Sequence, residues 1–215
     1  SSSDGYTLVK SSPSRQKEDS SSLEPSSQNQ DGETSQPQKQ QGLTLEDLSS
    51  PEGDFTYLGL EYGTPDQVVL PLFGLSGAEP DREWETSDSG LHSEYRTGIV
   101  DLGGVSFGLT LGFLDGLLDS FTFTWDAQEG KDLTSLYEDL RAQLGSLYGL
   151  PEEETVLEDV LAVVDREKGK TVAYDRQRLS FVVEEEGERA TRMDLSLMER
   201  DGAGVQVELS LNLYQ

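Results

Sequence analysis

The sequence predicts an α+β domain: an antiparallel sheet of about five or six strands, with an amphipathic helix over 132–148 and one or two lesser helices on one face. Three patterns carry that expectation. Val105, Phe107, Leu109, Leu111 and Phe113 alternate with small or polar residues, and Phe121, Phe123 and Trp125 repeat the alternation after Asp115-Gly116. Leu133, Leu136, Tyr137, Leu140, Leu144, Leu147 and Tyr148 recur at spacings of three and four, the period of one helix face. Near the C-terminal end, Val205, Val207, Leu209, Leu211 and Leu213 alternate with Gln206, Glu208, Ser210 and Asn212, which reads as a strand with one wet face.

Ahead of that domain, residues 1–50 hold 14 Ser, 7 Gln and a single aromatic, Tyr6. So little apolar surface cannot offset the entropy of ordering a backbone, so 1–50 is expected to be a disordered linker and 51–215 the folded domain. Only Leu43-Thr-Leu-Glu-Asp-Leu48 is read as apolar there, a candidate helical turn. A flexible arm of this length reaches about 40 Å in root-mean-square terms.

Within the domain, Phe55–Tyr62 reads as a short strand. Gly63-Thr-Pro-Asp-Gln-Val68 then spells a helix start, with Thr64 as cap, Pro65 where a missing N–H is harmless and Asp66 at the positive helix end. Pro71 limits that helix to about two turns. Residues 74–98, rich in Ser, Asp, Glu and Gly, read as loop. After the first hairpin comes the 132–148 helix, capped by Asp132 and ended by Gly149 and Pro151, and expected to lie on the apolar face of that hairpin. For 151–168, Val156, Leu157, Val160, Leu161, Val163 and Val164 fit a helical stripe, although the valines also suit a strand; helix is the expectation. Leu179–Val183, Met193–Leu197 and Val205–Leu213 follow as strands, the last two joined at Asp201-Gly-Ala-Gly204.

The formal charge is −26, and eight acids against four bases give the first fifty residues −4, so residues 51–215 carry −22. A surface this negative repels phosphate backbones and anionic headgroups, so nucleic acid is not an expected partner. Cysteine is absent, which removes disulfides, thiolate metal sites and a Cys nucleophile. The chain starts at Ser1 rather than Met, which fits an upstream signal sequence removed in processing.

Catalytic signatures are sparse. Gly104-Val-Ser-Phe-Gly108 matches the nucleophile-elbow pattern, but Ser106 sits inside a strand alternation and no His follows it. His92 is the only histidine, and one imidazole does not make a His-rich metal site. Asp81, Glu83, Glu85 and Asp88 crowd one segment, Glu184–Glu186 with Glu188 another; neither has the spacing of a calcium loop, and solvated acids are the simpler reading. Trp84 stands out as a large aromatic amid acids, either docked on the domain or left for a partner. No cofactor is expected, and no catalytic or metal residue is assigned; Trp84 and His92 are the candidate contact residues.

Tyr57-Leu-Gly-Leu-Glu-Tyr-Gly-Thr-Pro-Asp-Gln-Val68, an apolar hairpin, and an amphipathic helix closing on Leu147-Tyr-Gly-Leu-Pro151 together resemble small α+β domains of secreted proteins and lipoproteins of Gram-positive, often gut-dwelling bacteria. The resemblance spans 55–151 and implies an exported domain, lipid-anchored upstream of Ser1, with no activity to carry over. The Gly63–Val68 piece is also similar to outer-membrane assembly lipoproteins of Gram-negative bacteria, but Pro71 and the 132–148 helix depart from that pattern. These readings converge on a non-enzymatic, surface-tethered, extracytoplasmic domain making protein or ligand contacts. A carboxylate-dependent extracellular hydrolase, a weak calcium-binding module and a cytosolic acidic regulatory domain remain as alternatives.

Overall fold

The computed structural model describes residues 43–127, 132–165, 167–184 and 190–214. Eight strands dominate it: β1 (Arg82–Thr86), β2 (Gly90–Leu102), β3 (Val105–Leu114), β4 (Leu117–Asp126), β5 (Glu153–Asp165), β6 (Lys170–Glu184), β7 (Ala190–Arg200) and β8 (Ala203–Tyr214). Hydrogen bonding orders them β1-β2-β3-β4-β8-β7-β6-β5. The register is antiparallel for β1–β2, β2–β3, β5–β6, β6–β7 and β7–β8. Among the described residues, helix is confined to α1 (Asp66–Val69), α2 (Leu133–Tyr148) and 3-10 turns at Leu45–Leu48 and Leu70–Phe73. The α+β expectation is thereby corrected: this is a mostly-β chain built on an eight-stranded sheet, not five or six strands with helices across one face.

Two misread segments account for the extra strands. Most of residues 74–98, expected as loop, fall in β1 and β2, because polar residues on one face hide the period of two: Ser93, Tyr95, Val100 and Leu102 point into the core. Residues 153–165, expected as helix, form β5. Residues 153–157, 160–163 and 165 each have a register partner on β6, and the β-branched residues that lower helix propensity suit the pleat.

The chain divides within β4 into two compact units, one of residues up to Leu48 with Leu58–Phe121, the other of Ser49–Tyr57 with Thr122 onward. In the first, Phe107, Leu109, Leu111, Phe113, Leu118 and Phe121 bury one face of the β3–β4 hairpin, which turns at Asp115 (φ 51) and Gly116 (φ 79) as a primed turn requires. Pro65 bridges to Leu117, and Asp66 N donates to Gly116 O at 2.9 Å, so α1 sits beside that turn. Thr64 does not cap α1; its hydroxyl donates to Glu61 O at 2.6 Å, and Pro65 occupies the cap position. Gly74, at φ 74, stops the following 3-10 turn. Residues 1–42 of the expected linker lie outside the described residues. Its end is packed: Leu45 and Leu48 are buried, and Leu43 O accepts from Gly103 N at 2.7 Å.

In the second unit, α2 begins and ends where its caps predict. Asp132 Oδ1 accepts from Thr134 N at 3.1 Å and Ser135 N at 3.2 Å, while Gly149 at φ 83 closes the last turn. Leu133, Tyr137, Leu140 and Leu144 are buried. Their floor includes β7 and β8. Gly204 permits the approach: a Cβ there would stand 3.1 Å from Leu133 Cβ. Tyr148 meets Phe55 edge-on at 5.1 Å and Phe181 at 6.2 Å, and Phe55 N donates to buried Thr191 Oγ1 at 2.9 Å. No helix of the described residues is long and apolar enough to cross a membrane.

Candidate functional site

Trp84 and His92 lie eight residues apart in sequence and directly opposite each other across the β1–β2 pair. Their rings stack, with centroids 5.0 Å apart and planes 4° from parallel. The alternation that sends Ser93 and Tyr95 inward turns His92 and Glu94 to the other face. On β1 the same parity groups Arg82, Trp84 and Thr86. Arg82 places its guanidinium carbon 4.4 Å from the Trp84 ring centre and pairs with Glu94 at 3.7 Å. Cation, indole and imidazole thus form one row on the outermost strand pair. Trp84 and His92 are half-buried and Arg82 is exposed.

The β1–β2 turn completes the row. Ser89 Oγ lies 2.9 Å from His92 Nε2, and Thr86 Oγ1 is bonded to Ser89 Oγ. Gly90, at φ +113, lets the turn pass over the Asp115 carboxylate, whose oxygens would lie 2.5 and 2.7 Å from a Cβ at that position. Asp115 Oδ1 in turn accepts from Leu91 N at 2.9 Å. The β1–β2 turn is therefore locked to the β3–β4 turn.

Asp119 on β4 is the ionisable group nearest in kind to a functional acid. Burial pushes its carboxyl above the usual carboxylate range, with His92 pulling weakly the other way. Its strand position explains the burial. Buried positions on β4 change parity between Leu118 and Phe121, so Asp119 and Ser120 together span one step of the pleat. Gly112 makes room for Ser120, whose Oγ would stand only 2.1 Å from a Cβ at 112. On the inner face, burial raises the Tyr95 phenol, reinforced by the Asp66, Glu83 and Glu79 carboxylates.

A Ser–His contact with an acid nearby invites comparison with nucleophilic catalysis. Asp119 makes no hydrogen bond to His92, so nothing orients the imidazole as a triad acid would. Ser106 is exposed on β3 opposite Asp101, reached from a Gly103-Gly104 turn between two strands rather than a strand–helix elbow. The acids of the 81–88 segment are dispersed: Asp81 Oδ2 accepts from Arg96 N at 2.7 Å, and Glu83 accepts from Ser93 Oγ at 3.2 Å. Among the described residues no three His, Asp or Glu side chains converge on a metal-sized site. Glu184 is described at the end of β6, while residues 185–189 lie outside the described residues.

Trp84 and His92 were legible as oddities of composition; Arg82, Ser89, Glu94 and Asp119 were not singled out. The period of two across 82–86 and 90–96 was the available signal for Arg82 and Glu94, while Ser89 lies in the turn between them. Asp119 carried none, since its burial follows from an irregularity in β4. Comparison with family models, curated proteins and solved structures found no match to this chain.

Proposed function

We propose that this chain is a non-enzymatic contact module, exported and held at a cell surface by its Ser- and Gln-rich N-terminal stretch. Its binding face is the Arg82–Trp84–His92 row. The observation that carries the reading is the parallel stack of Trp84 on His92 beside a paired arginine. Such a row offers a flat, pre-ordered aromatic surface with few rotamers left to freeze, and Trp and Arg supply most binding energy at protein interfaces. The glutamates flanking Trp84 add negative potential, which favours a partner segment or ligand with basic groups around a planar or apolar centre.

The test immobilises the full chain and passes envelope extracts of the source cell over it. A Trp84→Ala, His92→Ala double variant with an unchanged melting temperature is run in parallel. A partner retained by the native chain and lost by the variant supports the module. Equal retention by both overturns the assignment to this face.

The Ser89–His92 contact favours a second reading, a hydrolase in which Asp119 supplies the acid. Turnover of acyl or glycosyl substrates that disappears in both Ser89→Ala and Asp119→Asn would replace the first reading with this one.

A further inference from the structure

The sequence holds four Asp-Gly steps, at 4–5, 31–32, 115–116 and 201–202, and the last two fall among the described residues. Both form the two-residue turn of a hairpin with nearly the same backbone: φ 51 and 79 at Asp115-Gly116, φ 54 and 80 at Asp201-Gly202. Their surroundings differ. Asp115 Oδ1 accepts from Leu91 N at 2.9 Å, Asp115 N donates to Leu91 O at 2.7 Å, and Gly116 O accepts from Asp66 N at 2.9 Å. Asp201 stands at the tip of the β7–β8 hairpin with its side chain 94 % exposed, and Arg200 Nε is 3.9 Å from its carboxylate, too far for a hydrogen bond. A Cβ at Gly202 would meet nothing within 4 Å.

We propose that Asp201 is a modification site at which the chain isomerises to isoaspartate, while the fold protects Asp115 from the same reaction. In a two-residue turn the flanking residues, here Arg200 and Ala203, carry the pairing, so Gly202 N–H is left to water. That nitrogen attacks Cγ of Asp201 in its carboxylic acid form. A C–N bond forms, the Cγ–OH bond breaks, and the hydroxyl leaves with the amide proton as water, closing a five-membered succinimide. Water then adds at either ring carbonyl. One opening restores Asp201; the other routes the main chain through the side-chain carbonyl and frees the α-carboxylate. The sum is an isomerisation that needs water alone. Glycine at 202 favours it, having no Cβ to obstruct the ring and wide freedom of backbone angle. At 115 the carboxylate must first leave Leu91 N, and losing a hydrogen bond to a charged group slows the step by roughly ten-fold or more.

The product has a structural consequence. Isoaspartate adds one methylene to the backbone of the β7–β8 turn. Gly204, just beyond that turn, lies against the start of α2, where a Cβ would stand 3.1 Å from Leu133 Cβ. A longer turn displaces this close contact, so the modification loosens the packing of α2 on β8.

The test incubates the full chain, folded, at near-neutral pH and maps its peptides by mass spectrometry, with fragmentation that separates isoaspartate from aspartate at each site. The expected result is isoaspartate accumulating at 201 roughly ten-fold or more faster than at 115. In urea sufficient to unfold the chain the two rates converge, because the contacts that hold Asp115 are gone. Asp201→Glu, which would have to close a six-membered ring, blocks conversion at 201 and leaves 115 unchanged. No isoaspartate at 201, or equal rates at the two sites in the folded chain, overturns the proposal. A difference that persists in urea belongs to the local sequence rather than the fold, and overturns it as well. The melting temperature of the native chain falls as the product at 201 grows, while that of Asp201→Glu stays constant over the same incubation. A native value that does not move overturns the link to α2.

Discussion

Asp119 is where residue chemistry most directly sets a measurable property. Burial keeps its proton bound above the pH at which an unfolded chain would release it, the ordinary carboxyl value being 3.8. Between that value and the raised folded one, the native state binds more protons than the unfolded state. Stability contributed by this group is therefore complete below pH 3.8, declines as pH rises through the window, and stays reduced above it. Asp119→Asn keeps the shape and removes the charge. Thermal melts should show the variant a few degrees more stable at pH 7, with the two curves converging at the acid end. A variant less stable at pH 7 would mean that the ionised carboxylate has a partner worth more than its desolvation. The Trp84–His92 stack belongs to the same scale: neither residue explains itself alone, and cross-strand pairing makes them one feature.

At the scale of elements, α2 depends on its caps and on four buried side chains. Leu140 is 5 % exposed, so Leu140→Asp places a carboxylate against β7 and β8 with nothing to pair it. The expected cost exceeds about 3 kcal/mol, enough to abolish a cooperative melt in a domain of ordinary stability. A circular-dichroism melt identical to that of the native chain would show that the stripe is not the helix's anchor. Leu147, on the predicted stripe but exposed, should tolerate the same change. β5 makes the complementary point. Its pattern of Val and Leu fits both a helix face and a pleated edge, and only pairing with β6 distinguishes them.

For the molecule as a whole, a charge of −26 means that every acid feels many others. Among the described residues the ion pairs are mostly exposed, such as Arg141–Glu154 and Arg82–Glu94, and exposed pairs offset little of that repulsion. Raising NaCl from about 0.02 to about 0.3 M shortens the screening length several-fold and should raise the melting temperature at pH 7 by a few degrees. A melting temperature that falls with salt would show that the ion pairs outweigh the repulsion. The same balance places minimum solubility near the isoelectric point of about 4.1.

The sequence by itself determined the features that depend on neighbours along the chain: the α2 span and its caps, the Asp115-Gly116 hairpin turn, the alternation of β3, β4 and β8, and the acidity of the surface. Each is a local matter of dihedral preference, capping or period, so a short window of residues contains the whole cause. Tertiary structure decided the rest. Residues 82–102 became two strands because β2 found a register on β3, and 153–165 became a strand because β6 was there to receive its N–H and C=O groups. α2 settled on β7 and β8, which come from the far end of the chain. Trp84, His92 and Asp119 share a region for the same reason. Strand pairing is satisfied by residues distant in sequence, and no window along the chain records which partner arrives.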